Sequence, residues 1–345
     1  LKSAELDPSY AMAYSNASAS LVQMSKWDDA EKSAKMALEC DPTELHSQLN
    51  LAHSYLAKGE WEKGWIEWDK SLGGKFRKEL VYGDEPRWNG DKDKTIVIYG
   101  EQGLGDEIFY ASCVPDAIDI SNKVYIECDK RLETLFRRSF PKAEVYGTRK
   151  DEDARWVDDA TINARCAIGG LPQFFRPNSK SFPGTPFLVF DKEKVDMWKH
   201  MFKSWGKTVI GITTKGGTFR TNSKGRELTE QDLQPLLKRK DIQLVSLDYS
   251  VERKIDGVRY FEFATDAKDY DDTAALIAAC DMVLGVNTTA LHCSAAMGVK
   301  TWCLVPKYHQ WRYGQPSMPW YRSMRLIYQD DKTWSEVVEN VASQL

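Results

Sequence analysis

The sequence is poor in several features that would have pointed elsewhere. Its seven cysteines (Cys40, Cys113, Cys128, Cys166, Cys280, Cys293 and Cys303) form no C-x-x-C pair, and an odd count without a framework excludes a disulfide scaffold. Several of them lie in apolar runs, where a free thiol packs as a small hydrophobe, so a reduced, cytoplasmic protein is expected. No apolar stretch approaches the roughly 18 residues of a membrane span, and the first residues lack the basic-then-apolar order of a signal peptide. Neither sign of charge dominates: the formal net charge is −4, which argues against nucleic acid or another polyanion as the main partner. The five histidines are too dispersed for a zinc site, and no metal is expected. With 345 residues the chain can build two or three domains, each with its own core.

What the sequence does have begins with a repeat. Pro8 and Pro42, Leu21 and Tyr55, Trp27 and Trp61, and Ala30 and Gly64 are each 34 residues apart, which is the period of tetratricopeptide repeats. Tyr14, Ala17, Ser18, Leu21, Ala30, Ala34, Ala37 and Pro42 follow that repeat's order of large and small residues, and Leu51, Ala52, Tyr55, Gly64, Trp68 and Ser71 restate it. Residues 1–75 are therefore expected to hold two and a fraction units, with a capping box over Asp28–Glu31. The stretch Leu1 to Pro8 reads as the tail of an earlier unit, and two and a fraction units need either the next domain or further repeats upstream to be stable. A groove that holds a peptide or protein and a plain packing role are both open to these helices.

Residues 76–94 are polar and contain Gly, Pro and many charges, which makes them a connector. From Thr95 onward, apolar β-rich runs alternate with helical patterns: Thr95 to Tyr99, Val124 to Cys128, Phe187 to Phe190, Thr208 to Thr213, Ile242 to Leu247, Met282 to Val286 and Thr301 to Val305. Such alternation predicts α/β architecture with parallel sheets, in two Rossmann-like lobes at 95–200 and 201–332. Each lobe opens with a strand that runs into glycines. Open sheets of this kind bind ligands at the carboxyl ends of their strands.

Three constellations carry chemistry. The first is Gly100-Glu-Gln-Gly-Leu-Gly-Asp106, in which Gln102, Gly103 and Gly105 let backbone approach a guest. Asp106, at the start of the helix that follows, either caps it or takes a proton from a bound hydroxyl. A dinucleotide fingerprint is its rival, with Glu127 as the ribose carboxylate, but the glycine order is G-x-x-G-x-G and not G-x-G-x-x-G. The second is Lys215-Gly216 through Arg220, Lys224 and Arg226, four cations within twelve residues that either neutralise a diphosphate or form a solvated loop. The third is Asn287-Thr288-Thr289, delivered by a strand to a helix start, with His292 one turn in; backbone N–H groups at such a terminus hold phosphate oxygens.

These motifs, with Asp272-Thr-Ala-Ala-Leu-Ile277, Trp311-Arg312 and Pro319-Trp-Tyr321, resemble the bacterial tetratricopeptide-repeat glycosyltransferases. Those are related to the family 9 heptosyltransferases of GT-B fold and, more distantly, to the peptide O-GlcNAc transferases. The resemblance spans nearly the whole chain. It implies a GT-B enzyme, inverting and metal-independent, that moves a sugar from a nucleotide-sugar donor to a protein, lipid or saccharide acceptor, with no cofactor. The first lobe would face the acceptor, with Asp106 as base. The second would hold the donor through Lys215, Gly216, Arg226, Asn287, Thr288, Thr289 and His292. Trp311 and Tyr313 either stack on the base and floor the cleft or pack the interface between the lobes. Residues 333–345, opening on a capping box at Thr333–Glu336, are expected to form a terminal helix that crosses back to the first lobe.

Heptosyltransferases generally carry aspartate where this chain has Asn287, so a donor unlike ADP-heptose is expected. Neither Asp91-Lys-Asp93 nor Asp151-Glu-Asp153 follows a strand, as a metal-binding sugar-transferase motif would require. The alternative of another class is an interaction scaffold whose repeats bind a partner and whose two-lobed region is degenerate.

Overall fold

The computed structural model describes residues 9–149, 154–158, 161–216, 225–249, 251, 253–266 and 268–345. Leu1 to Pro8 and the acidic pair Asp151 and Asp153 lie outside them. The chain starts with two helix hairpins, Ala11–Gln23 with Trp27–Cys40 and Leu45–Ala57 with Trp61–Lys70, whose equivalent helices begin 34 residues apart. Small residues set their spacing. Ala30, Ala34 and Ala37 are wholly buried, and a Cβ on Gly64 would lie 2.5 Å from Leu56 Cδ2. The capping box expected over Asp28–Glu31 is not formed. Lys26 occupies the cap, Asp28 falls inside the first turn, and Glu31 turns instead to Lys35 at 2.6 Å and to Lys58.

Two parallel sheets follow. The first has β1 (Thr95–Tyr99), β2 (Lys123–Glu127), β3 (Glu144–Tyr146) and β4 (Ala164–Ala167) in the order β3-β2-β1-β4. The second has β5 (Thr208–Thr213), β6 (Ile242–Ser246), β7 (Val258–Arg259), β8 (Met282–Val286), β9 (Thr301–Val305) and β10 (Met324–Tyr328) in the order β10-β9-β8-β5-β6-β7. Among the described residues every pairing between these strands is parallel, with β1 and β8 inside their sheets and buried along their whole length, as near-continuous apolar runs require. This is the two-lobed α/β plan expected from the sequence, preceded by an all-α segment.

Three placements differ from expectation. Phe187 to Phe190 is not a strand: the Phe187 and Leu188 N–H groups both donate to the Ala296 carbonyl as the chain crosses between lobes. The helix Lys192–Lys203, which spans the boundary expected at 200/201, packs as a whole on Tyr270–Ala279 of the second lobe. Lys194 there reaches Asp271 at 3.0 Å and Asp272 at 2.6 Å. The terminal helix Trp334–Ala342 keeps its Thr333 capping box but does not cross back. Its Trp334, Val337, Val338 and Val341 join the core of β5, β6, β8 and β9, and Ser335 donates to Asp232 at 2.7 Å. A helix with so strong an apolar stripe goes to the nearest uncovered sheet face.

The helical segment is welded to both lobes. Trp65 packs edge-on against Trp311 and Trp320 of the second lobe, at 5.8 and 6.1 Å between ring centroids. Its indole N–H donates to the Arg176 carbonyl at 2.8 Å, and Trp68 lies 5.9 Å from Tyr110 of the first lobe. Beneath this seam Arg77 and Glu101, neither side chain exposed, pair at 3.0 Å and tie the connector to the glycine loop.

Candidate active site

β1 delivers the chain to Gly100 at its carboxyl end, and the helix Leu104–Tyr110 opens four residues later. None of Gly100, Gly103 and Gly105 uses the left-handed backbone that glycine permits. Space is what requires two of them. A Cβ on Gly100 would lie 2.5 Å from Glu107 Cδ, and one on Gly105 would lie 3.0 Å from Thr289 Oγ1 and 3.4 Å from Thr289 Cα. Gly105 is therefore where the first lobe touches the helix start of the second. Gln102 lends its carbonyl to Arg149, while its own Oε1 is buried without a hydrogen-bond partner among the described residues.

Asp106 does two things. Its Oδ2 accepts from the Gly103 N–H at 3.1 Å, so the capping reading is correct. Its Oδ1 accepts from Arg312 Nη2 at 2.6 Å, across the seam, and the side chain stays 28% exposed. Arg312 was absent from the expected site. It is 8% exposed, with its guanidinium 4.5 Å over the Phe109 ring and 5.5 Å from that of Trp311. Burial by itself would weaken its hold on the proton, but the Asp106 charge and the neighbouring Tyr110 and Tyr313 outweigh it and push the pKa upward.

β8 forms the facing wall. Asn287 is 3% exposed with its Oδ1 unpartnered among the described residues, and Thr288 caps the helix Thr289–Ala296 without its hydroxyl bonding any backbone N–H. A buried polar atom without a partner costs about 1–3 kcal/mol, and Asn287 Oδ1 and Thr288 Oγ1 are two such atoms among the described residues. His292 is 4% exposed; its Nε2 lies 3.0 Å from the Tyr313 hydroxyl and its Nδ1 is unpartnered among the described residues. Burial, with the Arg312 charge behind it, drives the imidazole pKa well below the usual range, so His292 is neutral.

Gly216 brings the loop after β5 onto the same helix start: a Cβ there would be 2.8 Å from Thr288 Cγ2 and 3.0 Å from the Asn287 carbonyl. Arg226 is buried and donates from Nη1 to that carbonyl at 3.0 Å; burial, then the nearby Arg312 charge, lower its pKa. Lys215 is exposed and pairs through its backbone with Glu227. The intervening cations Arg220 and Lys224 lie outside the described residues.

The structure thus brings Gly103, Gly105, Asp106, Gly216, Arg226, Asn287, Thr288, Thr289 and His292 to one seam and leaves Lys215 at its rim. Trp311 and Tyr313 are both packed inside the seam. Trp311 is buried among Trp65, Trp68 and Phe109, and the buried Tyr313 is bonded to His292. The rival fingerprint loses its carboxylate: Glu127 is buried, with one oxygen taken by Thr148 at 2.8 Å and the other by Tyr82.

No protein-family model matches the chain. Protein FlbA of Caulobacter vibrioides is 27% identical over 381 aligned positions, which take in all of this chain and 63% of that protein. The chain thus spans somewhat less than two thirds of the length of the curated relative it matches. Among solved structures it is similar to a family 9 glycosyl transferase from Veillonella parvula, at 11% identity over 77% of this chain and 92% of that one, with a TM-score of 0.47. It is similar also to the E. coli ADP-heptose lps heptosyltransferase II, at 13% identity over 72% and 99% of the two chains and a TM-score of 0.49. A variant O-GlcNAc transferase of Thermobaculum terrenum shares 11% identity over 98% and 84%, with a TM-score of 0.34.

Proposed function

We propose that this chain transfers a sugar from a nucleotide-sugar donor to an acceptor hydroxyl on a protein, lipid or saccharide, with inversion and without a metal. The observation that carries the reading is the opposition, across one seam, of a carboxylate on the first lobe and an anion-seeking wall on the second. Inversion needs a base on one side of the sugar and stabilisation of the leaving group on the other. Asp106 takes the acceptor proton as the acceptor oxygen attacks the anomeric carbon. The bond from that carbon to the diphosphate breaks, and the charge left on the diphosphate meets Arg226, Lys215 and the N–H groups at the start of Thr289–Ala296.

Asn287 and Thr288 offer uncommitted buried oxygens for hydrogen bonds to the donor, and neutral His292 offers Nδ1. A neutral amide at Asn287 suits a donor other than ADP-heptose. The weld between repeats and lobes gives the helices a packing role first. A peptide guest is a separate matter, which pull-down with isolated acceptor peptides would test.

The first test is a thermal-shift panel with UDP, GDP, ADP, CMP and dTDP, their sugars, and NAD, followed by turnover of the donor that shifts. Ligand at about 100 times its dissociation constant adds roughly 2.7 kcal/mol. Asp106→Asn should then lower turnover by about 100-fold or more while nucleotide still binds. A second reading, an interaction scaffold, is favoured by one observation: both Asp106 oxygens are engaged in the structure, one by Arg312. Binding without measurable turnover of any donor would move the assignment there.

A further inference from the structure

The Asp106–Arg312 pair is the feature that the transfer chemistry above leaves unused. While Arg312 holds Oδ1 and the Gly103 N–H holds Oδ2, neither oxygen is turned toward an acceptor hydroxyl. Arg312 itself is incompletely satisfied: its Nε is buried with no hydrogen-bond partner among the described residues. It stands beside His292: its guanidinium lies 4.5 Å over the Phe109 ring, that ring is 5.4 Å from the His292 ring, and the next residue, Tyr313, has its hydroxyl 3.0 Å from His292 Nε2. We infer that Arg312 is shared between two anions, Asp106 and the diphosphate of a nucleotide-sugar, and that a donor drawing Arg312 to its diphosphate releases Asp106 to act as base. This rests on the transferase reading and deepens it.

The backbone around Arg312 makes the exchange a side-chain movement. The Ser25 hydroxyl donates to the His309 carbonyl at 3.0 Å and accepts from the His309 N–H at 2.8 Å. Gln315 Nε2 donates to the Ala57 carbonyl at 2.7 Å, and a Cβ on Gly314 would lie 2.6 Å from that same oxygen. Pinned on both flanks by the repeats, the loop keeps its place. The long arginine side chain pivots over Phe109 between a carboxylate and a phosphate, both of which its fork of donors fits. A donor that draws Arg312 to its diphosphate thereby assembles its own catalytic geometry.

The test is calorimetric titration with UDP, GDP, ADP and dTDP and the matching monophosphates. If Asp106 and the diphosphate compete for Arg312, then Asp106→Asn, whose amide oxygen can still cap Gly103, tightens diphosphate binding by about five- to tenfold, the low end of typical coupling between linked sites. Monophosphate binding should change by less than about twofold. Arg312→Lys, which keeps a charge but not the fork, should weaken diphosphate binding about tenfold; Arg312→Ala should erase the preference for diphosphate over monophosphate. Should the alanine variant fail to fold, the lysine variant decides. Unchanged or weaker diphosphate binding in Asp106→Asn, or unchanged binding in Arg312→Lys, overturns the exchange and leaves the transferase reading standing. Failure of the wild type to bind any nucleoside diphosphate overturns both.

Discussion

Gly105→Ala separates what the fold needs from what the site needs. Gly105 sits in the first turn of Leu104–Tyr110 with an ordinary negative φ, so alanine fits its backbone and gains up to about 1 kcal/mol of helix propensity. Against that, the new Cβ would stand 3.0 Å from Thr289 Oγ1 and 3.4 Å from Thr289 Cα, closer than a comfortable contact. The helix start must give by a few tenths of an ångström, and the two terms leave stability within about 1 kcal/mol of wild type. The site is less tolerant, because that shift separates Asp106 from the wall that holds the donor. A misplacement of about 1 Å costs roughly 100-fold in rate. Turnover of the donor found in the panel should accordingly fall about three- to tenfold in Gly105→Ala and about 100-fold in Gly105→Val, whose two methyls face Thr289. The assay is kcat and kcat/KM beside Tm on the same preparations. Wild-type turnover in Gly105→Val would refute the reasoning, and a collapse of Tm in Gly105→Ala would show that the glycine serves the fold alone.

Four further outcomes are expected. Trp65→Ala removes a ring buried between the repeats and both lobes and orphans the Arg176 carbonyl, so urea denaturation should show a loss of about 3–5 kcal/mol, read as one transition and not as separate loss of the repeats. Glu101→Ala strands the Arg77 charge with no exposure to water and should cost about 3–5 kcal/mol; an Arg77→Met, Glu101→Leu double replacement that costs as much would locate the penalty in packing instead. Burial, with the charges of Arg312, His46 and Arg77, pushes the His53 pKa down to about 3. The unfolded chain binds that proton near pH 6.5 and the folded chain does not, so stability should be full above 6.5 and fall as pH drops toward 3, by up to about 1.4 kcal/mol per unit for this group; His53→Gln should flatten the curve. Gly216→Ala places a methyl 3.0 Å from the Asn287 carbonyl, and calorimetry should show nucleoside diphosphate binding weakened by about tenfold, since backbone cannot yield as a side chain does.

Local signals were the legible ones. The 34-residue offset follows from helices that each need the same face at the same spacing, and it reappears in the helix starts at Ala11 and Leu45 and at Trp27 and Trp61. The runs at Thr95 and Met282 read as strands because strands buried on both faces need apolar residues throughout. Phe187 to Phe190 carries the same kind of run yet forms no strand, since an apolar segment crossing between lobes is buried equally well by its neighbours. β3 and β7 are short, three and two residues, and too polar to stand out from the loops around them.

By itself the sequence determined the composition of the two walls: a glycine loop ending in Asp106 after one strand, and Asn287-Thr288-Thr289 at a helix start after another. Each is a property of a few adjacent residues, where backbone sterics and capping act. Tertiary structure alone decided how the walls meet. The partner of Asp106 is Arg312, 206 positions away, and it comes from a loop whose place is set by Ser25 and Ala57 of the helical segment. The terminal helix likewise stayed with the second lobe because the open face of that sheet was nearest. Contacts at such separation leave no periodicity or spacing in the chain; they arise when buried surfaces and charges find one another in the folded protein.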